Sequence, residues 1–261
     1  MAQVKERLDK LLVSRGLAET RARAQALVMA GEVFVDGERA DKPGMKVATE
    51  ADLSVAEPLP YVSRGGYKLA EALARFEVTA EGRVCADVGA CTGGFTDVLL
   101  AAGAARVYAI DVGYGQLSWK IRQDERVVVM ERTNARYLEV LPEPVSLVVI
   151  DVSFISLRLI LPAVKGWLAE GGEIVALVKP QFEAGREQVG KGGVVRDPAV
   201  HRQVTSDLWE WTAQRQLGPQ DVIRSPIEGG AGNEEFLLWL QPGRLPAMDA
   251  AAAISRLERN G

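Results

Sequence analysis

Lys68, Asp151, Lys179 and Glu235 come from four distant stretches of a 261-residue chain. They are the residue types that acid–base chemistry on a hydroxyl requires. A lysine amine without its proton can take one from an attacking hydroxyl, and carboxylates beside it can hold the amine in place. His201 is the sole histidine, so lysine is the proton handler on offer, helped by neighbouring positive charge and partial desolvation to lose its own proton. Taken singly, a lysine or carboxylate beside an apolar run is most often that run's polar cap. Two amines and two acids on one edge would carry chemistry, and whether they meet depends on the elements that position them.

From residue 84 onward, apolar strand-like runs alternate with helical patterns: Val84 to Val88, Arg106 to Ile110, Val127 to Met130, Leu147 to Ile150 and Glu173 to Val178. Such alternation predicts a parallel sheet flanked by helices. Two further runs, Val222 to Ser225 and Glu235 to Leu240, are joined through Glu228-Gly229-Gly230-Ala231-Gly232-Asn233. That glycine-rich link predicts a hairpin, with the last strand antiparallel to the rest. Ligands of open α/β sheets bind outside the carboxyl ends of the strands. Asp151 and Lys179 follow two such ends, and Glu235, opening the reversed strand, is expected at the same edge. Lys68 lies in the first turn of a helix predicted over Tyr67 to Phe76, which must start where the strands finish.

The first strand runs into Asp87-Val88-Gly89-Ala90-Cys91-Thr92-Gly93-Gly94-Phe95, a glycine turn entering a helix. Gly89, Gly93 and Gly94 permit close backbone approach, and Thr92 and the helix start offer donors. Dinucleotide, phosphate and adenosylmethionine sites all use such a turn. Asp87 favours the last, because an acid there repels pyrophosphate but can serve a charged amino group, although a turn-capping aspartate reads the same way. Asp111, ending the second strand, is placed to accept both ribose hydroxyls of an adenosine. Asp151-Val152-Ser153-Phe154 lacks the paired prolines of base amino-group methylases, and it offers no cysteine for carbon methylation.

Hydrophobic residues make up 48% of the chain, enough for a full core and a small second module. No apolar run reaches the ~18 residues that span a bilayer, and no leader is visible, so a membrane partner is not expected. Cys85, Cys91 and His201 form no zinc or disulfide pattern, which predicts no metal and a reducing, cytoplasmic setting. Net charge is −4, but residues 1–30 hold six basic side chains against three acidic ones, a small footprint for phosphate. Within residues 1–60, Leu8, Leu11 and Leu12 and then Ala24, Leu27 and Val28 predict helix, turn and helix. Val33-Phe34-Val35 before Asp36-Gly37 predicts a strand entering a tight turn. Arg7, Lys10, Arg15, Arg21 and Arg23 then stand where guanidinium and ammonium groups can meet a nucleic-acid backbone. Residues 56–62, with two prolines, read as a stiff linker.

The run Arg7-Leu8-Asp9-Lys10-Leu11-Leu12, Arg21 to Val28, and Gly31 to Gly37 with Lys42-Pro43-Gly44 resembles the S4-like RNA-binding domain, with Thr20 where that family often has serine. Across both halves the chain resembles the TlyA family, known both as hemolysins and as ribosomal RNA 2′-O-methyltransferases. The shared segments are Ser63-Arg64-Gly65-Gly66-Tyr67-Lys68-Leu69, Asp87 to Phe95, Asp111 to Leu117, Glu131 to Arg136, Asp151 to Ser156, Lys179 to Glu183 and Gly232 to Phe236. The catalytic half is similar to the FtsJ class, whose Lys-Asp-Lys-Glu tetrad matches Lys68, Asp151, Lys179 and Glu235. The resemblance implies an S4-like domain over 1–60 and a Rossmann-like methyltransferase domain over 63–261 with a seven-stranded, mostly parallel sheet. It also implies an S-adenosylmethionine cofactor contacted by Asp87, Gly89, Thr92, Gly93, Gly94, Phe95, Asp111 and Asn134. Arg64 joins the RNA-binding set, and the expected reaction is 2′-O-methylation of ribosomal RNA at a cytidine. Lys191-Gly192-Gly193-Val194-Val195 reads as a glycine loop over the site or as a plain connection. The competing readings are a membrane-acting cytolysin and a non-catalytic RNA-binding assembly factor.

Overall fold

A computed structural model describes residues 4–55 and 60–259, so residues 56–59 of the expected linker lie outside the described residues. The chain divides into two compact units, Met1–Pro60 and Tyr61–Gly261.

In the first unit β1 (Lys5–Arg7) leads into α1 (Leu8–Ser14) and α2 (Arg21–Ala30), followed by β2 (Val33–Val35), β3 (Glu38–Arg39), β4 (Lys46–Ala48) and β5 (Leu53–Val55). β1 pairs antiparallel with β4, and β2 lies between β3 and β5. Asp36 and Gly37 both take positive φ, 51° and 81°, the two-residue turn whose twist matches that of its strands. Thr20 Oγ1 accepts the Arg23 N–H at 3.2 Å and caps α2. Leu8, Leu12, Ala24, Val28 and Val33 close a small core.

The basic residues of this unit divide into two groups. Asp9 is fully buried and accepts from Arg7 at 3.0 and 2.9 Å, from Arg21 at 2.9 Å and from Gln25 at 2.8 Å. Arg15 donates to the carbonyls of Ala51, at 2.6 Å, and Thr49. Arg7, Arg15 and Arg21 thus tie the unit together, with guanidinium donors left over to face outward, while Lys10 and Arg23 are exposed.

In the second unit the elements run α3 (Gly65–Arg75), β6 (Val84–Val88), α4 (Gly94–Ala101), β7 (Arg106–Ile110), α5 (Trp119–Arg122), β8 (Val127–Met130), β9 (Val145–Ile150), α6 (Leu157–Lys165), β10 (Leu168–Val178), α7 (Pro180–Glu183), α8 (Pro198–Gln214), β11 (Pro219–Arg224), β12 (Phe236–Leu240) and α9 (Ala250–Arg259). The seven-stranded sheet has the order β11-β12-β10-β9-β6-β7-β8, and only β12 runs antiparallel to its neighbours. β9 and β10 begin earlier than their apolar runs, because Val145 and Leu168 pair before the register shift that precedes Glu173. β11 starts at Pro219, a position where proline needs no ladder donor, and β12 starts one residue after Glu235.

Alternate residues of the central strands enter two separate cores. Val148, Ile150, Ala176 and Val178 pack with α6, α8 and α9, while Leu147, Val149, Val175 and Leu177 pack with α3 and α4. Helices cover both faces, which is why the strands read as continuous apolar runs and not as alternating ones.

The Asp9 cluster generates a stability prediction. Arg7 and Arg21 are 41% and 50% exposed, so Asp9→Ala should cost roughly 2 kcal/mol, below the ~3–5 kcal/mol of a fully buried pair. Hydrogen exchange on the full chain should show α1 and α2 amide protection falling about 30-fold at neutral pH. Hydrogen bonding from Arg7, opposed by burial and reinforced by Gln25 and Arg21, holds the Asp9 carboxyl well below the usual carboxylate range. The contribution is therefore present above about pH 4 and is lost as pH falls below it; equal protection in wild type and variant at pH 7 would contradict it.

Candidate active site

The strand ends of β6, β7, β9 and β10 meet at one edge, and the backbones there approach closely. Gly89 takes a φ of 87°, and a Cβ at that position would stand 2.3 Å from the Asp151 carbonyl oxygen, so a side chain would push β6 and β9 apart. Two cavities open on this edge. The larger, about 520 Å³, is lined by Gly89, Cys91, Asp111, Asn134, Asp151 and Phe154 among others. The smaller, about 180 Å³, is lined by Lys68, Gly89, Thr92, Gly94, Phe95 and Asp151 with their neighbours. Gly89, Cys91 and Asp151 belong to both walls.

The four charged residues come together as two ion pairs. Lys179 Nζ lies 2.6 Å from Asp151 Oδ1 and donates to Ser153 Oγ at 2.9 Å. Lys68 Nζ donates to Glu235 Oε2 at 2.5 Å. Lys68, Lys179 and Glu235 are all buried, and a buried charge is tolerated only when it meets its counter-charge. The reversal of β12 delivers Glu235 to this edge, and α3, beginning at Gly65, delivers Lys68. Lys179 takes a carboxylate and a hydroxyl as its partners.

The residues around the glycine turn separate by role. Asp111 ties the turn, accepting the Cys91 N–H at 2.8 Å and the Gly113 N–H at 2.6 Å. Each of its oxygens keeps a lone pair for a ligand hydroxyl. Asn134 Oδ1 accepts the Arg136 N–H at 3.0 Å. Gly93 lies beneath the turn as the residue before α4 and lines neither cavity. Asp87 lines neither cavity as well. It is fully buried, accepts from Thr96 Oγ1 at 2.6 Å and leaves Oδ1 without a partner. Burial pushes its carboxyl up to about 7, the Thr96 bond opposes this, and the Asp151 and Asp111 charges add to it. A largely apolar cavity with Asp111 and Asn134 in its wall and an orphaned Asp87 oxygen behind it fits a ligand that joins an apolar ring to hydroxyls and positive charge.

Arg64 is exposed at the start of α3, four residues from Lys68. The glycine loop is anchored at its far end: Asn233 donates to Gly193 O at 3.0 Å and accepts from Val195 N at 3.1 Å, while Lys191 is exposed. The sequence reading passed over Ser153, Thr96 and Phe154 as individual site residues. Phe154 is 91% exposed with a φ of 63°, and its only signal was its place in the stretch after the fourth strand run.

Comparison with known proteins finds matches over both units. The FtsJ-like methyltransferase family matches residues 61–242 and the S4 domain matches residues 6–53. The chain is 48% identical to the 16S/23S rRNA (cytidine-2′-O)-methyltransferase TlyA of Mycobacterium tuberculosis, over 90% of this chain and 89% of that one. It is 41% identical to Hemolysin A of Brachyspira hyodysenteriae, over 88% and 98% of the two chains. A solved structure from Streptococcus thermophilus, described as a candidate hemolysin, superposes with a TM-score of 0.75 at 46% identity, covering 99% of this chain and 98% of that one.

Asp87 makes the ligand-free protein pH-sensitive in a defined direction. The folded state keeps a proton up to about pH 7 that the unfolded chain releases near 4, so stability should fall as pH rises through that window. Asp87→Asn, neutral throughout, should flatten the decline in melting temperature between about pH 5 and 8; an unchanged slope would assign it to another group.

Proposed function

The chain belongs to the FtsJ-like methyltransferases, in the TlyA family that carries an S4 domain, and from that membership and the two buried ion pairs we propose that it methylates a ribose 2′-hydroxyl of ribosomal RNA, at a cytidine, using S-adenosylmethionine. The observation that supports this most directly is Asp151, which lines both cavities while pairing with Lys179. A donor in the larger cavity and a nucleotide in the smaller one would then face each other across Asp151, the partner of the Lys179 amine.

When bound, S-adenosylmethionine supplies a methyl group activated on sulfonium sulfur; Asp111 and Asn134 would hold it, and its positive charge would favour ionised Asp87 behind them over the protonated form that burial favours. Lys179, once its ammonium proton has passed to the Asp151 carboxylate 2.6 Å away, would take the 2′-hydroxyl proton onto Nζ. Asp151 and Ser153 fix that amine. Glu235 fixes Lys68, which faces the nucleotide cavity and balances charge on the attacking oxygen. Alignment of the hydroxyl supplies much of the acceleration, as in other reactions between two held groups. The exposed ring of Phe154 offers a flat apolar face at the mouth for a base. The S4 unit brings the RNA, through outward donors of Lys10, Arg15 and Arg23 and the remaining donors of Arg7 and Arg21, with Arg64 adding charge at the rim of the site. A ribosomal substrate supports a cytoplasmic setting for the reaction.

The hemolysin names of some relatives raise a second reading. Among the described residues no helix is long and apolar enough to cross a membrane, and two ion pairs in a cleft are better matched to proton transfer than to a bilayer.

Lys179→Ala should fold and bind S-adenosylmethionine as the wild type does in calorimetry, yet transfer methyl to ribosomal subunits at least about 100-fold more slowly. Mass spectrometry of the RNA reads the product. Wild-type turnover by the variant would remove Lys179 from the reaction.

A further inference from the structure

α7 is a single helical turn held at both ends by the same stretch of chain. At its start, Lys179 reaches Asp151 and Ser153. At its end, Glu183 accepts the Ser156 hydroxyl at 2.7 Å and the Leu157 N–H at 2.6 Å. Between these anchors the Phe182 and Phe154 rings pack with centroids 5.1 Å apart. Lys179 is the cap residue that precedes the turn and Glu183 is its last residue, so the two anchors bracket it.

One ion pair fixes a point, and a second anchor fixes an angle. Without Glu183, α7 could pivot about the Asp151 contact and swing the Lys179 amine relative to the cavities. The stretch it grips is itself under strain. Phe154 adopts a φ of 63°, which a bulky side chain holds only where its surroundings over-determine it. The Glu183 side chain is 3% exposed, and burial raises its carboxyl above the usual range against the pull of Ser156, Leu157 and Arg158. A buried acid is a costly way to cap α6, since Ser156 already caps it by accepting the Arg158 N–H at 3.1 Å.

We propose that Glu183 is a positioning residue for methyl transfer: by tying the end of α7 to the start of α6, it sets the orientation of Lys179 and holds the strained Phe154 loop at the mouth of the site. The proposal rests on the assignment of Lys179 as proton acceptor. Removal of Glu183 lets Phe154 relax to ordinary backbone angles and leaves the amine loosely aimed, so the loss falls on turnover and not on capture of RNA.

The test compares the wild type, Glu183→Ala, Glu183→Gln and Lys179→Ala as full-length proteins. Methyl transfer to ribosomal subunits gives kcat and KM, calorimetry gives S-adenosylmethionine affinity, and melting gives the folded fraction. Glu183→Ala should lower kcat between about 10- and 100-fold, the scale of a misplaced reacting group. KM for RNA and cofactor affinity should stay within about 3-fold, too small a change to account for that loss. Glu183→Gln, whose amide oxygen still accepts one donor, should fall between it and the wild type. Wild-type kcat per folded molecule in Glu183→Ala, with a lowered melting temperature, would reduce Glu183 to a helix cap and overturn the proposal. Should Glu183→Ala fail to fold, Glu183→Gln decides: reduced kcat with unchanged KM supports the proposal, and wild-type kcat overturns it. Lys179→Ala separates the two claims, because normal turnover there removes the reading beneath the proposal whatever Glu183 does.

Discussion

Burying two lysine amines at the edge of a sheet is unfavourable unless each meets a carboxylate, and much of the second unit serves that requirement. Lys179 and Asp151 follow adjacent parallel strands, so their pairing needs only the ordinary spacing of β9 and β10. Lys68 and Glu235 are 167 positions apart in sequence. Their pairing depends on two features of the topology: α3 starting at the carboxyl edge, and β12 entering in reverse between β11 and β10. A parallel last strand would have put Glu235 at the opposite edge and left Lys68 buried without a partner. The one antiparallel strand is thus tied to the charge balance of the site.

The same electrostatic rule operates in the first unit with a different result. Asp9 collects Arg7, Arg21 and Gln25 around one buried carboxylate, which joins the starts of α1 and α2. Side chains that sequence alone reads as a phosphate grip are first of all internal ties. Pre-oriented guanidinium groups lose less freedom on binding, so structural and binding roles are compatible in a side chain with five donors.

Strand limits were legible because the strands are written as apolar runs, largely buried in β6 and β7 and part-exposed in the edge strand β8. Val84 to Val88, Arg106 to Ile110 and Val127 to Met130 match the observed strands residue for residue. The convergence of the four charged residues was legible because strand ends and helix starts share an edge in this architecture. The pairing among them was not, since nothing in the sequence says that Lys68 meets Glu235 while Lys179 meets Asp151. Nor did the sequence reveal that Asp87 lies behind the cavity wall, because burial of a single acid depends on how α4 closes over it through Thr96. Ser153 escaped notice for a similar reason: its contact with Lys179 arises from the bend after β9, which no periodicity encodes.

The central claim is that two ion pairs stand where a donor cavity and a nucleotide cavity meet. A crystal structure with S-adenosylhomocysteine bound addresses it most directly. The account predicts the ligand in the larger cavity, its ribose hydroxyls on Asp111 and its sulfur turned toward the Asp151–Lys179 pair, with Lys68 and Glu235 still joined. A ligand seated elsewhere, or one whose sulfur faces away from Lys179, would contradict it.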